Sequence, residues 1–373
     1  MALDLEKISK GITKTGFHLE FKIGTVLRKN GWHLISNRCY VDDQEGAVRE
    51  IDLLAYKVSN IKDFTLYTVL IISCKKSESN AWALLARPVV QDDPNYNWRP
   101  FKGWSNHQAI SYYLTGKTWP NAYHNKVSDA CPSIFEPPAV DVFAFQEVNK
   151  TSGSVQNDKP IFSSITSLMK AQSYEMSLLE SRHKDKKRVY QFNLISVIDS
   201  DLIQILFTED GISSKSVTSE DYLCRYILNK EEAIARIKFT TADFFPKLIL
   251  DYTNLHNQNK QVFSEYYDKF YSDAYKTWRK SSLITEDLHK ELRNSLLHAR
   301  YSFDKKYERP TNLDTFWNEK KERLEIGISY NDVSEEMLKS FNSNEELKQA
   351  TIEALANVFH YDGDFIFDEG IPF

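Results

Sequence analysis

The chain has 373 residues, 42% hydrophobic and 13% aromatic, with only 12 glycines and a formal net charge of −5. That apolar content excludes a mostly disordered chain, and so little glycine argues against repeat-rich β architectures and glycine-loop nucleotide binders. The charge is uneven: residues 331–373 carry ten Asp/Glu against two Lys, which leaves residues 1–330 net positive by three and suited to meeting phosphates.

In chain order, "GFHLEFKIGTVLRK" (16–29) predicts a helix stopped by Asn30-Gly31. Strands are expected at "REIDLLAYKV" (49–58), "FTLYTVLIISCKK" (64–76) and "AVDVFAFQEV" (139–148). Between the last two, a Trp-, Pro- and Asn-rich stretch (80–104) precedes a helix at 105–115. Residues 161–182 read as an amphipathic helix, and 189–199 and 202–210 as strands around a tight Asp-Ser-Asp turn. Two further strands are expected at "YLCRYILN" and "AIARIKFTT". Beyond residue 242 the period becomes helical, with long helices expected at 244–280, 285–303 and 343–360. The expected fold class is therefore α/β (α+β) over residues 1–242, followed by an all-α domain over 243–373.

The cysteines at 39, 74, 131 and 224 form no CxxC pair, which speaks against zinc and suits a reduced interior. The segment "MALDLEKISKGITKTG" is too charged for a signal peptide, and no apolar run approaches the roughly 18 residues of a membrane span. A cytoplasmic protein with no membrane partner is expected.

Alternation places Glu50, Asp52, Leu54 and Tyr56 on one face of their strand, and Val69, Ile71, Ser73 and Lys75 on one face of the next. A hairpin of these strands brings Asp52 and Lys75 to one sheet edge. In the first helix Phe17, Phe21 and Gly24 suggest an inward stripe, with Glu20 on it. A carboxylate on an apolar face needs a partner. Two acids and a lysine converging suit metal-assisted phosphodiester hydrolysis, in which carboxylates hold Mg²⁺ and the lysine offsets phosphate charge.

These residues resemble the PD-(D/E)xK, or restriction-endonuclease-like, nucleases over about residues 15–150. "FHLEFKIG" resembles their first-helix glutamate, "REIDLLAYK" the metal-binding aspartate strand of the Mrr-like and Holliday-resolvase-like branches, and "IISCKKS" the (D/E)xK strand. "HQAISYY" gives Gln108-x-x-x-Tyr112, similar to the QxxxY helix of RecB-type and Mrr-type members. The resemblance implies a mixed sheet flanked by helices and a Mg²⁺ (or Mn²⁺) ion on Glu20 and Asp52, with Glu50 in reach. It further implies Lys75 at the phosphate, Gln108 and Tyr112 in support, and a nucleic-acid substrate, DNA ahead of RNA, in a setting such as prokaryotic defence. Ser73 departs from the family, standing where the second acid belongs; Glu78 lies past the strand end. A degenerate nuclease fold serving as a nucleic-acid-binding or assembly module is the alternative.

A second motif, "ELRNSLLHAR" (291–300), puts Arg293, Asn294 and His298 together on a helix surface. It resembles the RN-x-x-x-H signature of HEPN-like domains, which implies a homo-oligomer or partner protein bound through the C-terminal region, or a ribonuclease there. The plain reading is an ordinary bundle helix with Leu288, Leu292 and Leu296 as its core stripe. The basic "SRHKDKKR" (181–188) reads as a solvated loop.

Overall fold

The computed structural model describes residues 4–90, 98–182 and 186–370. Part of the 80–104 stretch (91–97) and the middle of the basic loop (183–185) lie outside the described residues. The chain divides into two compact units, residues 1–107 with 114–262, and 108–113 with 263–373.

The first unit opens with α1 (Leu5–Ile12) and α2 (Gly16–Lys29). Gly31, at φ +72°, closes α2 in a left-handed turn, with Gly31 N–H donating to Arg28 O and Trp32 N–H to Leu27 O. Then come β1 (His33–Val41), β2 (Val48–Ile61), β3 (Phe64–Lys76), β4 (Asn80–Pro88) and β5 (Gly103–Ser105). Helix α3 (Gln108–Leu114) falls almost wholly in the second unit. The first unit resumes with α4 (Trp119–Val127), α5 (Pro132–Phe135), β6 (Val140–Asn149), α6 (Lys159–Ser177) and α7 (Leu179–Arg182). Strands β7 (Arg188–Asp199), β8 (Leu202–Thr208), β9 (Gly211–Val217), β10 (Ser219–Leu228) and β11 (Glu231–Thr241) complete it, and α8 (Phe245–Tyr271) follows.

Among the described residues the main sheet runs β1-β2-β3-β7-β11-β10, with β5 beside β7. The first three strands form an antiparallel meander, β3 is parallel to β7, and β7 to β11. The central strands β3 and β7 are buried almost throughout, covered on both faces, and β7 carries Gln191, Asn193 and Ser196 among its buried residues. Helix α6 places Ile161, Ile165, Leu168 and Met169 in one core with Leu54, Val69, Ile71 and Leu194. Burial of each such side chain contributes about 1.5–3 kcal/mol. A second sheet, β6-β4-β8-β9, contains two strands, β4 and β9, that the sequence reading did not anticipate. Although β7 and β8 flank a tight turn, they belong to different sheets.

The polar groups of the buried strands are satisfied by α8. His256 bonds Thr68 through Nδ1 and Ser59 through Nε2, both at 2.9 Å. Asn259 donates to Thr68 Oγ1 (3.0 Å) and Gln191 Oε1 (3.3 Å) and accepts from Tyr123 (2.6 Å). The expected boundary near 243 coincides with the start of α8, whereas the units divide inside that helix, because Tyr252, His256 and Asn259 serve the first unit's core.

The second unit corrects the all-α expectation. Besides α9 (Trp278–Asp304), α10 (Glu335–Ser343) and α11 (Glu345–Phe359) it holds a sheet, β12 (Asn312–Asn318), β13 (Arg323–Ser329) and β14 (Phe365–Glu369), in the order β12-β13-β14. The reason is period-two burial: Leu313 and Thr315 on β12, and Leu324, Ile326 and Ile328 on β13, point inward. The helix expected over 244–280 also breaks after Tyr271, and α9 restarts at Trp278 behind Thr277.

His256 is pushed down to about 4 by burial and by the charges of Lys57 and Lys260; His124 is pushed down to about 4 by burial, Arg236 and Arg99. Both stay neutral in the folded chain at pH values where an unfolded histidine, with a pKa of about 6.5, takes a proton. The unfolded state then binds more protons, so stability falls as pH drops from about 6.5 towards 4. Urea unfolding at pH 7 and pH 4.5 should show a lower midpoint at pH 4.5, and a His256→Asn variant should lose part of that pH dependence.

Candidate active site

The β2–β3 ladder runs from Ile61↔Phe64 to Leu53↔Ile72 and stops there. One residue further, the Asp52 carboxylate reaches across, and its Oδ2 accepts the Cys74 N–H at 2.6 Å. The same oxygen accepts the Ser73 hydroxyl (3.2 Å) and the Lys75 ammonium (3.4 Å). All three bonds fall on Oδ2; among the described residues Oδ1 carries none. Ser73 is buried, while Asp52 and Lys75 are part-exposed at the end of the β2–β3 ladder. Lys76 points elsewhere, pairing with Asp199 at 3.4 Å and donating to Thr13 O.

Glu20 approaches from α2. The residues that bury on this helix are Leu19, Ile23, Gly24 and Leu27, whereas Phe17 and Phe21 are 71% and 69% exposed, so the expected Phe17–Phe21 stripe is corrected. The helix turns Gly24 inward because a Cβ there would come within 2.9 Å of Leu34, a closeness that excludes bulk. Glu20 still lies on the buried stripe, three and four residues before Ile23 and Gly24. Its carboxyl is pushed up to about 6 by burial first, then by the negative charges of Asp52 and Glu50, against the opposing charge of Lys75. Glu20, Glu50, Asp52 and Lys75 thus form one electrostatic cluster. Glu50 is exposed and accepts from Asn37 Nδ2 at 2.7 Å. The Cys74 thiol is buried and raised well above its usual range, which makes it core and not a ligand.

Two other expected residues fall in the second unit. The Gln108 amide donates to Asp287 Oδ2 at 2.9 Å, and the Tyr112 ring packs edge-on to Phe270 beneath the Lys280 ammonium. These contacts tie Gln108 and Tyr112 to the second unit. Arg293, Asn294 and His298 are all exposed on α9, and Asn294 and His298 line a shallow groove with Asn344 and Glu346. Leu288, Leu292 and Leu296 make the buried stripe of that helix.

Among the described residues no group of three or more His, Cys, Asp or Glu is close enough to hold a metal ion. The chain matches no protein-family model, no curated protein and no solved structure. The backbone N–H of Cys74, which fixes Asp52, could not be found from residue identity, since every non-proline residue has one.

The Glu20 carboxyl should titrate near 6 by NMR, and Asp52→Asn should lower that value by removing a like charge. A carboxyl raised in the folded state stabilises below its unfolded pKa and loses that contribution as pH rises through the folded value. Glu20→Gln should therefore stabilise the protein at pH 7.5, by under about 1 kcal/mol after solvent screening, and not at pH 4.

Proposed function

We propose that the first unit is a metal-dependent nuclease of the restriction-endonuclease-like, PD-(D/E)xK type, hydrolysing phosphodiester bonds in nucleic acid, DNA ahead of RNA. The observation that carries this reading is the Asp52–Lys75 pair at the end of the β2–β3 ladder, with Glu20 of α2 within electrostatic reach of both. The order helix-glutamate, strand-aspartate, strand-lysine is that of the family the sequence resembles. Negative charge is in surplus at Glu20, and Asp52 Oδ1 is unbonded; both suit a hard divalent cation.

Glu20 and Asp52 would hold Mg²⁺ or Mn²⁺, with Glu50 the nearest further carboxylate. A bound metal supplies polarisation of the phosphoryl oxygen and a more acidic water. The Cys74 N–H and the Ser73 hydroxyl hold Asp52 in place through Oδ2. Lys75 is held near Asp52 by a long, part-exposed pair, and its ammonium can shift to an incoming phosphate at little cost. Gln108 and Tyr112, the residues expected to support the site or touch the substrate, belong to the second unit. The second unit, with Arg293, Asn294 and His298 on an open face, is the natural place for partner or self-association.

One observation favours a second reading, a fold that binds nucleic acid without cutting it. No three-residue ligand group is present among the described residues, and position 73 is a serine.

Incubation with single- and double-stranded DNA and RNA in Mg²⁺, Mn²⁺ or EDTA separates the two. Cleavage should need the metal and fall at least about a hundredfold in Asp52→Asn, as for loss of a metal ligand. Binding that is equal in EDTA, with no cleavage in any metal, supports the second reading. Ser73→Asp should tighten Mn²⁺ binding by calorimetry on the order of tenfold, because ligand charge tunes affinity. Unchanged affinity in a folded Ser73→Asp variant would remove the metal from this cleft.

A further inference from the structure

Strand β7 changes neighbours along its length. Over Leu194–Ile198 it pairs with β11, and over Val189–Gln191 with β5. At Phe192 and Asn193 the sheet forks, and a cavity of ≈ 40 Å³ opens between β7, β11 and the segment before β5. A cavity needs about 10–15 Å³ on this measure to admit one water, so the space suits about three waters or one phosphate-sized ion. Gly103 makes the fork narrow: a Cβ there would sit 2.8 Å from Tyr190 O. Phe192 N–H donates to Lys102 O at 2.9 Å and fixes Lys102 at the rim.

The charges around this cavity are unequal. Among the described residues, Lys102, Arg236 and Lys238 line it against one carboxylate, Asp221. Asp221 Oδ2 takes both Lys238 (2.7 Å) and Arg236 (2.6 Å). The Lys102 ammonium makes no hydrogen bond and no ion pair among the described residues, and burial pulls it below the usual lysine range. The next carboxylate along β10, Glu220, bonds Gln204 instead. A half-buried cation without a counter-charge is costly, and an anion in the cavity would relieve it. The Gln172 amide also lines the cavity and can donate.

We propose that this fork binds a phosphate-sized oxyanion, with Lys102 as its main counter-charge and Lys238, Arg236 and the Gln172 amide around it. The oxyanion is either a free ion or the phosphoryl group of a larger molecule reaching in from the rim. The site is separate from the Asp52 cleft: Asn193 is five residues along β7 from Ile198, the neighbour of Lys75, roughly 16 Å at strand rise. The rival occupant is water donating to Asp221 Oδ1, which is buried without a partner.

Calorimetry and thermal melts of the full chain in EDTA, with phosphate, adenosine 5′-monophosphate or chloride at equal ionic strength, test this. Phosphate should bind saturably and raise the melting temperature, and chloride should do neither. Lys102→Met should weaken phosphate about tenfold or more, and should melt higher than wild type without phosphate, since its uncompensated charge is gone. Lys102→Gln, closer in polarity, repeats the test should the Met variant not fold. Tighter binding of the nucleotide assigns the site to a phosphoryl group of a larger ligand; binding of orthophosphate alone assigns it to the free ion. Lys75→Ala should leave binding unchanged, which keeps this result independent of the nuclease reading. No saturable binding of either anion by wild type, or equal binding by both Lys102 variants, would overturn the proposal.

Discussion

Where β2 stops pairing with β3, the Cys74 N–H would be left without its strand partner, and the Asp52 carboxylate takes it at 2.6 Å. A buried N–H must be satisfied, so this bond is a structural requirement as well as a chemical device. It ties one carboxylate oxygen to the backbone and leaves the other without a hydrogen bond among the described residues. Ser73 and Lys75, at alternate positions on β3, converge on the same tied oxygen. On α2 the Glu20 carboxyl is raised first by its own burial and then by the negative charges of Asp52 and Glu50. The positions of Asp52, Ser73 and Lys75 follow from that one splayed rung.

The same accounting governs the middle of the sheet. Strands buried on both faces have no solvent to satisfy polar side chains, yet β3 and β7 carry Thr68, Gln191 and Asn193 there. His256 and Asn259 from α8 meet them, and the price is a helix whose first half cannot leave the first unit. At the β7 fork the accounting does not close: Asp221 is shared by two cations, while Lys102 keeps its charge alone. An incomplete balance of this kind points to something bound from outside.

Much of the cleft was legible because it sits on strong signals. The α2 stop at Asn30-Gly31, the apolar run of β3 and the alternation that puts Ser73 beside Lys75 are all local features, and the structure shows each. Illegible features depended on tertiary choices. Large Phe17 and Phe21 looked inward, but close packing at Gly24 favours the Leu19–Ile23–Leu27 side. β1 is mostly exposed and shows no clean alternation, and β4 hid in a Trp- and Pro-rich stretch. In the second unit, strong helical periods on either side masked short strands that pair with a segment some 40 residues later. Gln108 and Tyr112 had the right spacing, but spacing does not say which unit a helix joins.

The most direct test of the central claim is anomalous scattering from crystals of the protein soaked in Mn²⁺. The account requires a peak within coordination distance of Asp52 Oδ1 and a Glu20 carboxylate oxygen, about 2.0–2.4 Å, that vanishes in Asp52→Asn crystals. A well-ordered cleft with no peak at saturating Mn²⁺, or a peak held by other residues, would contradict it.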